Sequence, residues 1–208
     1  LQKYILNKLM KKSNVRLSKN ITPQRYALTI RPDLEAFTFV GEEIIDITLA
    51  KPENSLTLHS KDIEVLSGFW QVGKSKIDIA KISYNVKAET VTLLFAKPVA
   101  KGKGKLQLHF HGLISEKLRG FYRSQYTHNG EVKKIATTQF EATDARRAFP
   151  CFDEPAHKAV FDLTMVIPSH MTAISNTIET ATPQGVEHGA GFKVVRFAPT
   201  PKMSTYLL

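Results

Sequence analysis

From Tyr26 onward the chain keeps a two-residue apolar period, broken by turn residues about every ten positions, and almost nowhere shows a helical period. Tyr26, Leu28 and Ile30 alternate with Ala27, Thr29 and Arg31, which puts three large apolar groups on one face of a strand. Phe37 and Phe39, then Ile45, Ile47 and Leu49, continue the pattern across Gly41 until Pro52-Glu53-Asn54-Ser55 supplies turn chemistry. Further strands are expected at 56–59, 63–73, 77–79, 82–86, 91–95 and 106–112. The pattern resumes at 160–167, 172–176 and 192–197, the last after a Gly-rich turn at 185–191, and an unfinished strand is expected at 203–208. No repeat of fixed length points to a propeller or solenoid. The expected fold class is therefore all-β: an antiparallel β-sandwich or saddle-like curled sheet with short helical turns.

A chain of 208 residues can bury a substantial core. Residues 1–20 read as a basic, partly helical or loose lead-in, and the β domain is expected over 21–208. The lead-in is short, broken by lysines and lacks a small-residue cleavage site, so it does not read as a secretory signal. No apolar run approaches the roughly 18 residues of a membrane span. One cysteine allows no internal disulfide, which favours a reducing compartment, and a cytoplasmic location is expected. The balance of 29 Lys+Arg against 19 Asp+Glu, net +10, permits attraction to acidic surfaces. The lysines are scattered, however, and the densest group, Lys101-Gly102-Lys103-Gly104-Lys105, has the glycines of a turn. With no RNP-like or helix-turn-helix pattern, no nucleic-acid partner is expected. His109 and His111 would share a strand face, but no third ligand is indicated nearby, and they read as polar residues on a solvated side.

The polar segment 137–155 interrupts this pattern, and function is sought there first because binding groups sit on loops held by rigid scaffolds. It follows a hairpin marked by Asn129-Gly130, which suits the positive backbone angles of a tight turn. Gln139 and Glu141 are two apart and would point the same way if the strand persisted, with Phe140 opposed. Thr143 is placed to cap a short helical turn beginning at Asp144 and ended by Pro150. Arg146 or Arg147 lies within reach of Asp144, Asp153 or Glu154, so every charge here except Glu141 reads as a structural ion-pair network. Cys151 reads as a buried thiol rather than a nucleophile.

The runs Gly120-Phe121-Tyr122-Arg123-Ser124, Thr138 through Pro155, Ile174-Ser175-Asn176 and Pro201 through Leu208 resemble the amino-terminal domain of the zinc aminopeptidases related to aminopeptidase N and puromycin-sensitive aminopeptidase. The motifs recur in the same order over 20–208. The resemblance implies a saddle-like β domain packed on a thermolysin-like catalytic domain expected after Leu208, as the abrupt apolar end also suggests. It implies that the residue matching Glu141 helps bind the free α-amino group of a peptide substrate and that the one matching Gln139 lines the same subsite. Zinc is implied for the full-length enzyme only. The H-E-x-x-H helix motif and the G-x-M-E-N loop are absent, and no His is followed by Glu. The 208 residues alone are thus expected to bind no metal and to be inactive. The rival expectation is a non-catalytic β-sandwich module that binds peptides or proteins.

Overall fold

In a computed structural model that describes residues 16–180 and 191–208, the alternation becomes twelve strands. They are β1 (Ile21–Asp33), β2 (Thr38–Leu49), β3 (Glu53–His59), β4 (Ile63–Val72), β5 (Ser75–Asn85), β6 (Thr90–Val99), β7 (Gly102–Leu113), β8 (Gly120–His128), β9 (Glu131–Gln139), β10 (Val160–Pro168), β11 (Glu179–Thr180) and β12 (Phe192–Phe197). Ten form one sheet in the order β11-β12-β10-β1-β2-β7-β4-β5-β6-β3, while β8 and β9 pair separately. The only helical elements among the described residues are 3-10 turns at Ala145–Arg147 and Thr205–Leu207.

The apolar period decides which face is inside. Tyr26, Leu28, Ile45, Ile47, Leu106 and Leu108 are all buried, whereas Glu42, Ile44, His109 and His111 point the other way. β5 carries the sheet around its bend: its first half pairs with β4, its second half with β6, and the register shifts between Ile79 and Lys81. The sheet thereby curls over its own inner face, and Trp70 of β4 meets Phe95 of β6 edge-on with ring centroids 6.2 Å apart. The Trp70 indole lies over Gly104, where an added Cβ would come within 2.1 Å of the ring.

Several local expectations are corrected. β10 runs parallel to β1, from Arg25 opposite Val160 to Ile30 opposite Met165, so the sheet is mixed rather than wholly antiparallel. Strands in parallel need a long crossover, and the entire chain from β2 to the 140–159 loop supplies it. The segment at 172–176 joins no ladder among the described residues, and Ile174 stands 90% exposed. At the end of the chain Met203 makes only an isolated bridge to Ala159, followed by a helical turn instead of a strand. The expected turn at 185–191 falls largely outside the described residues, as does most of the lead-in. Of that lead-in, Leu17 is buried and donates its N–H to Glu154 Oε1 at 2.8 Å.

Candidate functional site

Asn129 and Gly130 form the two-residue turn between β8 and β9, with φ of 51° and 80°. The alternation along this hairpin gives its two faces different jobs. Phe121 packs edge-on against Phe39, while the Arg123 guanidinium lies 3.9 Å from the centre of the Phe37 ring, fastening one face to the body. β9 ends at Gln139. The next residue, Phe140, is buried against Phe149, and Gln139 and Glu141 on either side of it are exposed. The strand does not persist to Glu141, but the buried Phe140 between them still leaves both polar side chains facing solvent. The Glu141–Ala142 peptide bond is cis.

The loop that follows is held from beneath by aromatic packing. Phe149 makes edge contacts with Tyr26 and Phe161, and Tyr26 stacks on Phe161 at 5.0 Å. Phe149 and Phe152 are both essentially fully buried, and each contributes about 1.5–3 kcal/mol by burial. Tyr26 also accepts the Phe152 N–H at 3.1 Å, and burial raises its phenol pKa well above the ordinary value, so the hydroxyl stays protonated. The backbones of His59 and Cys151 exchange hydrogen bonds of 2.8 and 3.0 Å, tying the loop to the end of edge strand β3.

Charges then lock it from the side. Arg146 donates from Nε to Asp153 Oδ2 at 2.9 Å, from Nη2 to the Asp153 carbonyl at 3.2 Å and from Nη1 to Glu89 at 3.2 Å. Asp153 is completed by Thr205 Oγ1 at 2.7 Å. Burial alone would raise the Glu89 pKa, but Lys61 and Arg146 together outweigh it and hold the carboxyl below its usual range. Arg147 donates from Nε to Asp144 and from Nη1 to Asp62, both at 2.6 Å. The residue at the helical N-cap is Asp144, with no side-chain cap bond, rather than Thr143. The Asp144 carboxylate pairs instead with Arg147. Glu89 and Asp62 lie 57 and 85 positions from the arginines they bind, and no local spacing announces them.

Of the four acids in 141–154, Asp144, Asp153 and Glu154 are thus engaged. The Glu141 side chain alone has no hydrogen-bond or ion-pair partner among the described residues, and the Gln139 side chain has none either. Two exposed, unengaged acceptor groups on a segment otherwise pinned at every charge make a small cation-accepting surface. The remaining candidates lack comparable chemistry. Cys151 is fully buried, and burial together with the neighbouring Asp153 and Glu43 carboxyls pushes its pKa well up, away from a nucleophilic thiolate. His109 pairs with Glu42 at 3.4 Å and His111 with Glu64 at 2.8 Å on the solvated sheet face. Among the described residues no group of three His, Cys, Asp or Glu is arranged to hold a metal.

Comparison with known proteins addresses the whole chain. The family model of the peptidase M1 N-terminal domain matches residues 22–207. Aminopeptidase M1-D of Oryza sativa subsp. japonica is 39% identical over 198 residues, covering 95% of this chain and 22% of that protein. Aminopeptidase M1 of Arabidopsis thaliana is 40% identical over 202 residues, with the same two coverages. Puromycin-sensitive aminopeptidase of Caenorhabditis elegans is 39% identical over 199 residues, 93% of this chain and 20% of that protein. The chain therefore spans 20–22% of the length of these relatives.

Proposed function

Because the chain belongs to the peptidase M1 N-terminal domain family, we propose that it forms the amino-terminal domain of a zinc-dependent aminopeptidase in which Gln139 and Glu141 hold the free α-amino group of a peptide substrate. The observation that carries this reading is the unengaged Glu141 carboxylate on a segment whose other acids are all engaged. An α-ammonium group has three donors and no acceptor, so it requires acceptors around it, and a carboxylate adds charge-assisted bonds. Gln139 contributes a neutral carbonyl acceptor from the adjoining strand end. Gripping the amine at a fixed point sets how far the peptide reaches toward the reacting groups, which is how an enzyme would select the first peptide bond.

The described residues do not fit a zinc ion, since no three of their His, Cys, Asp or Glu side chains are grouped to hold one. In this reading the zinc ligands belong to the part of the enzyme outside this span, and the 208 residues alone hydrolyse nothing. The rest of the domain acts as a platform: the curled sheet buries the aromatic anchors of the loop, so that Gln139 and Glu141 are presented on a rigid base. No helix among the described residues is long and apolar enough to cross a membrane. The reading keeps the enzyme in the cytoplasm, where a single buried thiol is at no disadvantage.

The test is hydrolysis of an aminoacyl chromogenic substrate by the whole enzyme, wild type against Glu141→Ala and Gln139→Ala. Glu141→Ala is expected to lower kcat/KM by about 10–100-fold, and Gln139→Ala by less, since a neutral acceptor is the weaker partner. Unchanged kinetics with Glu141→Ala would remove the amine-anchor reading and leave a peptide- or protein-binding module.

A further inference from the structure

Arg147 occupies a place that neither packing nor charge neutralisation requires of a single residue. Its side chain is 10% exposed and bridges two acids, Asp144 on the helical turn just after Glu141 and Asp62 at the corner between β3 and β4. Its aliphatic stem also lies across Gly120. A Cβ built at Gly120 would meet Arg147 Cβ at 2.7 Å and Cδ at 2.8 Å, and Gly120 has a φ of +69°, so any larger residue is both strained and obstructed. Gly120 is the first residue of β8, and its partner across the hairpin ladder is Gln139. One side chain thus lies against Gly120, the ladder partner of Gln139, and holds the turn that follows Glu141, while its outer nitrogen is moored to a third element.

We infer that Arg147 is a positioning residue for the amine-binding pair: through Gly120 and Asp144 it fixes the offset between Gln139 and Glu141, and Asp62 fixes Arg147. The inference rests on the amine-anchor reading of those two residues. Its physical basis is that Gln139 and Glu141 are joined by only one intervening residue but belong to different structural units, a strand end and a loop. Phe140 is buried against Phe149 and its carbonyl accepts the Asp144 N–H at 2.9 Å, which ties the turn to the backbone between the two acceptors. Arg147 adds a side-chain tie from that turn to Gly120, across the ladder from Gln139. A lysine in its place keeps the charge and most of the stem but has no planar fork with which to hold Asp144 and Asp62 at once.

The experiment is a kinetic cycle on the whole enzyme with an aminoacyl chromogenic substrate, using Arg147→Lys, the milder Asp62→Asn, Glu141→Gln, and each of the first two combined with Glu141→Gln. Arg147→Lys is expected to raise KM about tenfold with kcat within about twofold, and Asp62→Asn to act in the same direction more weakly. In the Glu141→Gln background both substitutions are expected to lose most of that effect, because a group acting through the anchor cannot act once the anchor is gone. A fully additive cycle, or a fall in kcat with KM unchanged, would overturn the positioning role while leaving the anchor in place. Silence of Glu141→Gln itself would overturn both. Asp62 has a 59% exposed side chain, so Asp62→Asn supplies the readout if Arg147→Lys reduces the yield of folded enzyme.

Discussion

Two buried carboxyl groups lie on the same side of this sheet, and they are treated in opposite ways. Asp153 takes the Arg146 guanidinium, the Arg146 N–H and the Thr205 hydroxyl, so its buried charge is matched bond by bond. Glu43, on the inner face of β2 between Leu28 of β1 and Leu108 of β7, is 1% exposed, and neither of its carboxyl oxygens has a hydrogen-bond partner among the described residues. Burial accordingly pushes the Glu43 pKa well above the usual carboxyl range. The contrast teaches that burial by itself does not make a functional acid. Asp153 is matched by the loop built around it, burial holds the Glu43 carboxyl well above its usual pKa range, and of the acids in 141–154 only Glu141 is left without a partner among the described residues.

Breaking the matched pair should have the largest effect. Arg146→Ala leaves the buried Asp153 carboxyl without its guanidinium partner and leaves Glu89 with Lys61 alone, and should cost about 3–5 kcal/mol in urea denaturation. A loss under about 1 kcal/mol would mean that the loop is held by its aromatic anchors alone. Relieving the unmatched group should act in the other direction. Glu43→Leu replaces two unsatisfied oxygens by apolar atoms of similar volume and should stabilise the domain by about 1–3 kcal/mol.

The same site gives a pH signature. The folded state keeps a proton on Glu43 that the unfolded chain has already released once pH exceeds the ordinary carboxyl range. Stability from this residue is therefore complete at low pH and is lost as pH rises toward the folded-state pKa. The stability difference between Glu43→Leu and wild type should widen with pH through that window; a difference flat in pH would show that Glu43 is not held neutral. At the small end, Glu141→Ala should leave the unfolding midpoint unchanged, because no contact is lost, even though it is the variant expected to damage catalysis most.

How much of this was legible depends on the range of the interaction. The inward set on β1 and β2 follows from the two-residue period alone, and the Asn129-Gly130 turn from local backbone preference. Glu43 sits at inward parity with Ile45 and Ile47, so its burial could have been read from the same alternation. The 172–176 segment shows the limit of that signal: its alternation is real, but a strand needs a ladder, and it pairs with none among the described residues. The polar motif in 138–155 marks the loop that carries Glu141, and the reading of its arginines as structural agrees with the pairs of Arg146 and Arg147.

By itself the sequence determined the strand faces, the hairpin and the family, since each depends on residues close together along the chain. Only the tertiary structure decided that β10 runs parallel to β1, that Glu89 and Asp62 complete the arginine network, that Arg147 lies across Gly120, and that Glu141 is the acid left over. Those outcomes depend on which distant groups the curled sheet brings together, and a charge is free or engaged only once all of its neighbours are in place.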